Sequence, residues 1–145
     1  NHIMFSFENT VIISLLIDGE YFDVDRVLYN DFKTTVNISR IELMDVVGRS
    51  FLFAKEINKK PIIMEIGDDV LSFSITSNIG KMDDEIEGEV TGDKFAIGFN
   101  PYYLMDAIKT IESDTVSMNM LSKKHPCIIK DENETYLYVI LPVNF

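Results

Sequence analysis

The chain has 145 residues, 46% of them hydrophobic, and carries 24 acidic against 13 basic residues, for a net charge of −11. This length and apolar content fit one ordinary domain with a real core and exclude a disordered chain, while the acidic surplus argues against a protein that holds nucleic acid by neutralising many phosphates. It leaves open a protein that keeps DNA by surrounding it, because that needs no tight electrostatic grip.

A single cysteine, Cys127, excludes a disulfide framework and points to a reducing compartment. The longest apolar run, "VIISLLI" (11–17), is far too short for a bilayer span, and no basic region precedes an apolar segment, so a cytoplasmic location is expected. The glycosylation-like triplets at Asn37 and Asn133 are then chance matches. The chain opens on Asn1 rather than Met and is expected to be a fragment.

In chain order, "HIMFSFENTVIISLLIDGEYF" (2–22) reads as two strands around Glu8-Asn9, with nothing after them to complete a sheet. A helix is predicted from about Ser39 to Phe53, with Asn37 as a candidate cap and Ser39-Arg40-Ile41-Glu42 as a candidate capping box. "PIIMEIG" and "VLSFSITS" form a predicted hairpin through Gly67-Asp68-Asp69, and "KMDDEIEGEV" and "KFAIGF" a second through Thr91-Gly92-Asp93. Asn100 and Pro101 predict a second helix start, because an Asn side chain accepts from the free N–H groups of a first turn and Pro fits where no donor is needed. Leu104, Ala107, Ile108 and Ile111 line its packing face, with Tyr102, Asp106, Lys109 and Ser113 on another. "DTVSMNML", "PCIIKD" and "TYLYVILPV" close the chain as strands.

An internal echo links the two helices. "NISRIELMDVV" and "NPYYLMDAI" both give Asn, a spacer, Leu-Met-Asp and two small or branched apolar residues, with Leu43 and Leu104 in register. From about residue 32 the pattern is strand, helix and three strands, written twice.

Two regions raise functional questions, each with two readings. The tail "YVILPVNF" is either a last core strand or an apolar surface left for a partner. Phe51, Leu52 and Phe53 sweep about 200° of helix surface, too wide for one internal core, and the acidic run beside Asp83 and Asp84 is either a solvated strand face or the charged rim of a contact. Catalysis finds little footing. His2 and His125 have no ligand-spaced companions, and Glu85, Glu87 and Glu89 alternate as an edge strand does, so no catalytic residue, metal or cofactor is expected.

Four blocks, "LIDGEYFDVDRVL" (16–28), "NISRIELMDVVGRS" (37–50), "IGFNPYYLMDAI" (97–108) and "YLYVILPV" (136–143), resemble the C-terminal part of the bacterial sliding clamp family, the beta subunit of DNA polymerase III. The resemblance covers the whole chain in order. It implies an α+β DNA clamp fold, with a duplicated strand-helix-three-strand unit and two helices packed on antiparallel sheet. Residues 1–28 would then be the end of the middle clamp domain and 29–145 the third domain.

It further implies a non-enzymatic processivity factor: a head-to-tail homodimeric ring around double-stranded DNA, tethering the polymerase III alpha subunit, the clamp loader and repair proteins through short Gln-x-x-Leu-Phe-like peptides. By motif, the peptide-binding positions are Phe22, Arg26, Val27, Asn100, Tyr103, Pro126, Val139, Leu141, Pro142 and Val143. Arg49, Leu52, Phe53, Asp83 and Asp84 would meet a first domain at the ring interface, and Arg40 and Lys109 would face DNA. Phe22, Leu15 and Asn144 depart from the family, which usually has Pro, a basic residue and Arg there. The rival readings are a peptide-binding adaptor that forms no ring and, more remotely, a carboxylate hydrolase.

Overall fold

The computed structural model describes residues 1–21, 23–24, 27–54 and 60–145. Its N-terminal hairpin pairs β1 (His2–Phe7) with β2 (Thr10–Leu15) in a two-stranded sheet of its own, turning at Glu8-Asn9 as predicted, with Glu8 in the left-handed region at φ 47°. Every residue of both strands is exposed, so the alternation of "MFSF" and "VIISL" has no core to serve within this chain.

The remainder follows the duplicated pattern: β3 (Thr34–Ser39), α1 (Arg40–Ala54), β4 (Ile62–Ile66), β5 (Val70–Ser77) and β6 (Gly80–Gly92), then β7 (Ala96–Phe99), α2 (Pro101–Lys109), β8 (Thr115–Met120), β9 (Cys127–Asp131) and β10 (Leu137–Ile140). The eight strands form one antiparallel sheet in the order β10-β9-β8-β3-β6-β5-β4-β7. Period-2 burial sends Val36, Ile38, Ile62, Met64, Leu71, Phe73, Val116 and Met118 to the face that carries the helices. The core closes against Leu43, Val46 and Val47 of α1 and Leu104, Ala107 and Ile108 of α2. The helices meet through Phe51 and Tyr102, whose rings stack at 4.7 Å.

Three expectations need correction. Asn37 lies inside β3 and does not cap α1; the cap is Ser39, whose Oγ accepts from the Glu42 N–H at 3.4 Å. The true counterpart of Asn100 is therefore Ser39, in register with the repeat. The second hairpin is not one, because β6 has β3 and β5 as neighbours while β7 crosses to pair with β4. Gly92 makes that departure: at φ +108°, a Cβ there would stand 1.8 Å from the Lys33 carbonyl oxygen, so only Gly fits. The hairpin that does form joins β5 to β6 through Asn78-Ile79. Finally, α2 ends at Lys109, so Ser113 lies beyond the helix, where its carbonyl accepts from Arg40 Nε at 3.1 Å.

Candidate functional site

Asn100 caps α2 as its sequence predicts, its Oδ1 accepting from the Tyr102 N–H at 3.0 Å with Pro101 at the first helical position. That bond occupies the side-chain oxygen and leaves the Nδ2 amide to donate elsewhere. From this helix, Tyr103, Asp106 and Ala107 face the last strand and the chain end across a groove of about 410 Å³, whose other wall is Tyr138, Val139, Ile140, Leu141, Pro142 and Val143. Its lining is predominantly apolar, and its size falls in the range of small-ligand and peptide-anchor pockets.

The tail is held in place through the backbone of β7. The Val143 N–H donates to the Gly98 carbonyl at 2.8 Å, and a Cβ on Gly98 would stand 2.7 Å from the Val143 carbonyl and 2.8 Å from the Phe145 ring. The tail therefore runs over β7 only because residue 98 has no side chain. Leu141 remains 67% exposed, which a strand packed in the core would not leave.

Six expected peptide-binding residues, Asn100, Tyr103, Val139, Leu141, Pro142 and Val143, thus line one groove. Val27 and Pro126 are half-buried and do not line it; Phe22 and Arg26 lie outside the described residues. The Tyr29 hydroxyl donates to the Pro126 carbonyl and accepts from the Leu121 N–H at 3.2 Å, fastening the segment before β3 to the β8–β9 loop. Burial pushes this phenol's pKa up, against the opposing Leu121 hydrogen bond. Tyr138, Ile140, Asp106 and Ala107 are groove residues that motif matching missed. The alternation of "YLYVIL" was the available signal for Tyr138 and Ile140.

The second group gathers where α1 ends beside the start of β6. Leu52 is 63% exposed, and the Phe53 ring lies against Gly80. Arg49 Nε donates to Asp84 at 2.8 Å within the chain, and Asp83 pairs with Lys81 at 2.7 Å. Among the described strands, β6 has no neighbour opposite β5 from residue 80 to residue 87. Of the candidate DNA-facing residues, Lys109 pairs with Asp106, and Arg40 is half-buried on the Ser113 carbonyl and Met44 Sδ. Two larger concavities, of about 750 and 600 Å³, are lined mainly by polar and acidic residues such as Asn37, Glu87, Glu89 and Glu132, and offer little to an apolar anchor.

The family model for the C-terminal domain of the DNA polymerase III beta subunit matches residues 25–144. The chain belongs to this family. The beta sliding clamp of Streptococcus pneumoniae is 33% identical over 147 residues, a match covering 99% of this chain and 39% of that protein. Among solved structures, a putative DNA polymerase III beta subunit from Eubacterium rectale is 46% identical with a TM-score of 0.89, covering 100% of this chain and 40% of the other. The beta subunit from Thermotoga maritima is 30% identical with a TM-score of 0.86, covering 96% and 38%. The chain thus spans about two fifths of the length of these beta subunits, and its duplicated unit, two helices and antiparallel sheet are the clamp fold.

Proposed function

We propose that this chain works as part of a non-enzymatic DNA processivity clamp, a head-to-tail ring that surrounds duplex DNA in the cytoplasm and tethers the replicative polymerase and other partners by their peptides. In this reading residues 1–28 end the middle domain and residues 29–145 are the third domain. The observation that carries it is the apolar groove between α2 and the tail, which unites six of the positions expected to bind peptide.

Chemically, the groove suits a Leu-Phe anchor: Val139, Leu141, Pro142 and Val143 offer aliphatic surface, while the Asn100 amide is left to donate to a peptide carbonyl. Tethering then raises the local concentration of the polymerase at the DNA without any catalytic group. The exposed Leu52, the Phe53 ring and the open edge of β6 support a ring contact, with Arg49, Asp83 and Asp84 as its charged rim. Net charge −11 agrees with a ring that keeps DNA by topology and slides on it.

Titration with a fluorescent Gln-x-x-Leu-Phe peptide tests the reading. The intact chain is expected to bind saturably and a chain cut after Leu141 to lose binding; equal binding by both would place the peptide elsewhere and overturn it.

A further inference from the structure

Tyr138 forms part of the groove wall, and its hydroxyl oxygen lies 2.5 Å from Oγ1 of Thr110, the residue that caps the C-terminal end of α2. The same Thr110 Oγ1 is 3.0 Å from the Ala107 carbonyl and 3.3 Å from that of Asp106. A hydroxyl has one hydrogen. Carbonyls only accept, so a Thr110 hydrogen directed at them leaves its oxygen to accept from the phenol, and between the two hydroxyls either atom can donate. With the hydrogen so directed, a relay runs from the phenol through the threonine hydroxyl into the last turn of α2, and both residues whose carbonyls receive it, Asp106 and Ala107, themselves line the groove.

An aromatic wall fixed only at its Cα could swing about its side-chain torsions. Tied at its far end to the opposite wall, the ring fixes the groove's width before a ligand arrives, and pre-organisation of this kind reduces the ordering cost of binding. We propose that Thr110 is a positioning residue for the partner groove: its hydroxyl holds the Tyr138 ring as a fixed wall against which the apolar anchor of a bound peptide packs. The proposal rests on the peptide-binding reading above.

A double-mutant cycle on the 145-residue chain tests it, using the same fluorescent peptide with thermal melts as a folding control. Thr110→Val and Tyr138→Phe are each expected to weaken binding by roughly 3- to 10-fold, the worth of one neutral hydrogen bond. The double variant is expected to bind no more weakly than either single one, and Thr110→Ser, which keeps the hydroxyl, to stay within about twofold of the parent. If Thr110 served only to finish the helix, its loss would persist in the Tyr138→Phe background and the two effects would add. Additive losses, or unchanged binding by Thr110→Val, would overturn the tether while leaving the groove intact. Failure of the unaltered chain to bind would instead remove the groove reading and this proposal with it.

Discussion

Cys127 lies in β9 with no exposed surface, in contact with the sheet core. Desolvation pushes its thiol pKa well above the ordinary 9.0, and the opposing hydrogen bond from the Asn119 backbone is too weak to bring it back. The folded protein therefore holds the proton more tightly than the unfolded chain does. Stability tied to this group is fully present below about pH 9 and falls as pH rises above it, by up to about 1.4 kcal/mol per unit. Urea unfolding at pH 8 and pH 10 should show a loss in the parent that is smaller by about that amount in Cys127→Ala, even though the variant begins less stable. Equal slopes would mean that the thiol is reachable by water. The same burial predicts a native thiol inert to alkylating reagents. The Thr110–Tyr138 bond was not legible in the sequence, because its partners are 28 residues apart and meet only through the packing of α2 against β10.

Among the elements, legibility followed how local the cause was. The second helix start could be read because Asn100 and Pro101 act within one turn, and the duplicated unit because Leu43 and Leu104 repeat at the spacing of the helix starts, Arg40 and Pro101. Asn37 misled because a capping side chain two residues early belongs to a strand. Thr91-Gly92-Asp93 misled because a turn signal reports that the chain changes direction, not which strand it next pairs with. The Asn78-Ile79 hairpin escaped notice for the converse reason, since Ile at the second turn position is a weak signal. Gly98 gives the element scale its prediction. Gly98→Ala leaves an ordinary strand residue in β7, but its Cβ would overlap the Val143 carbonyl and the Phe145 ring, so the tail must move off the strand. Peptide affinity should fall at least as far as it does on cutting after Leu141, while the melting temperature drops little, because the core of β7, Ile97 and Phe99, is untouched. Unchanged affinity would mean that the tail's seat on β7 does not shape the groove.

At the scale of the whole molecule, the distribution of charge constrains how copies of the chain meet. The open stretch of β6 carries Asp83, Asp84, Glu85 and Glu87 against two basic residues, Lys81 paired with Asp83 and Arg49 of α1 paired with Asp84, and the adjoining end of α1 contributes Leu52 and Phe53. Two copies joined edge to edge through β6 would bring like charges together from both sides across a strand pair, where directly opposed carboxylates repel. Salt screens such repulsion only beyond about 8 Å at physiological ionic strength, farther than neighbouring strands stand apart. An exposed apolar plug with an acidic rim therefore favours a different, basic surface over its own copy, which is what a head-to-tail interface requires and a two-fold symmetric one forbids. In the proposed ring that surface belongs to the first domain, so this chain alone should sediment as a monomer in the micromolar range at physiological salt. A stable dimer abolished by Leu52→Asp would show that the β6 edge pairs with itself, and the ring would then have to close by another contact. A monomer unchanged by Leu52→Asp, with the plug still exposed, is the behaviour of one half of an interface waiting for its complement.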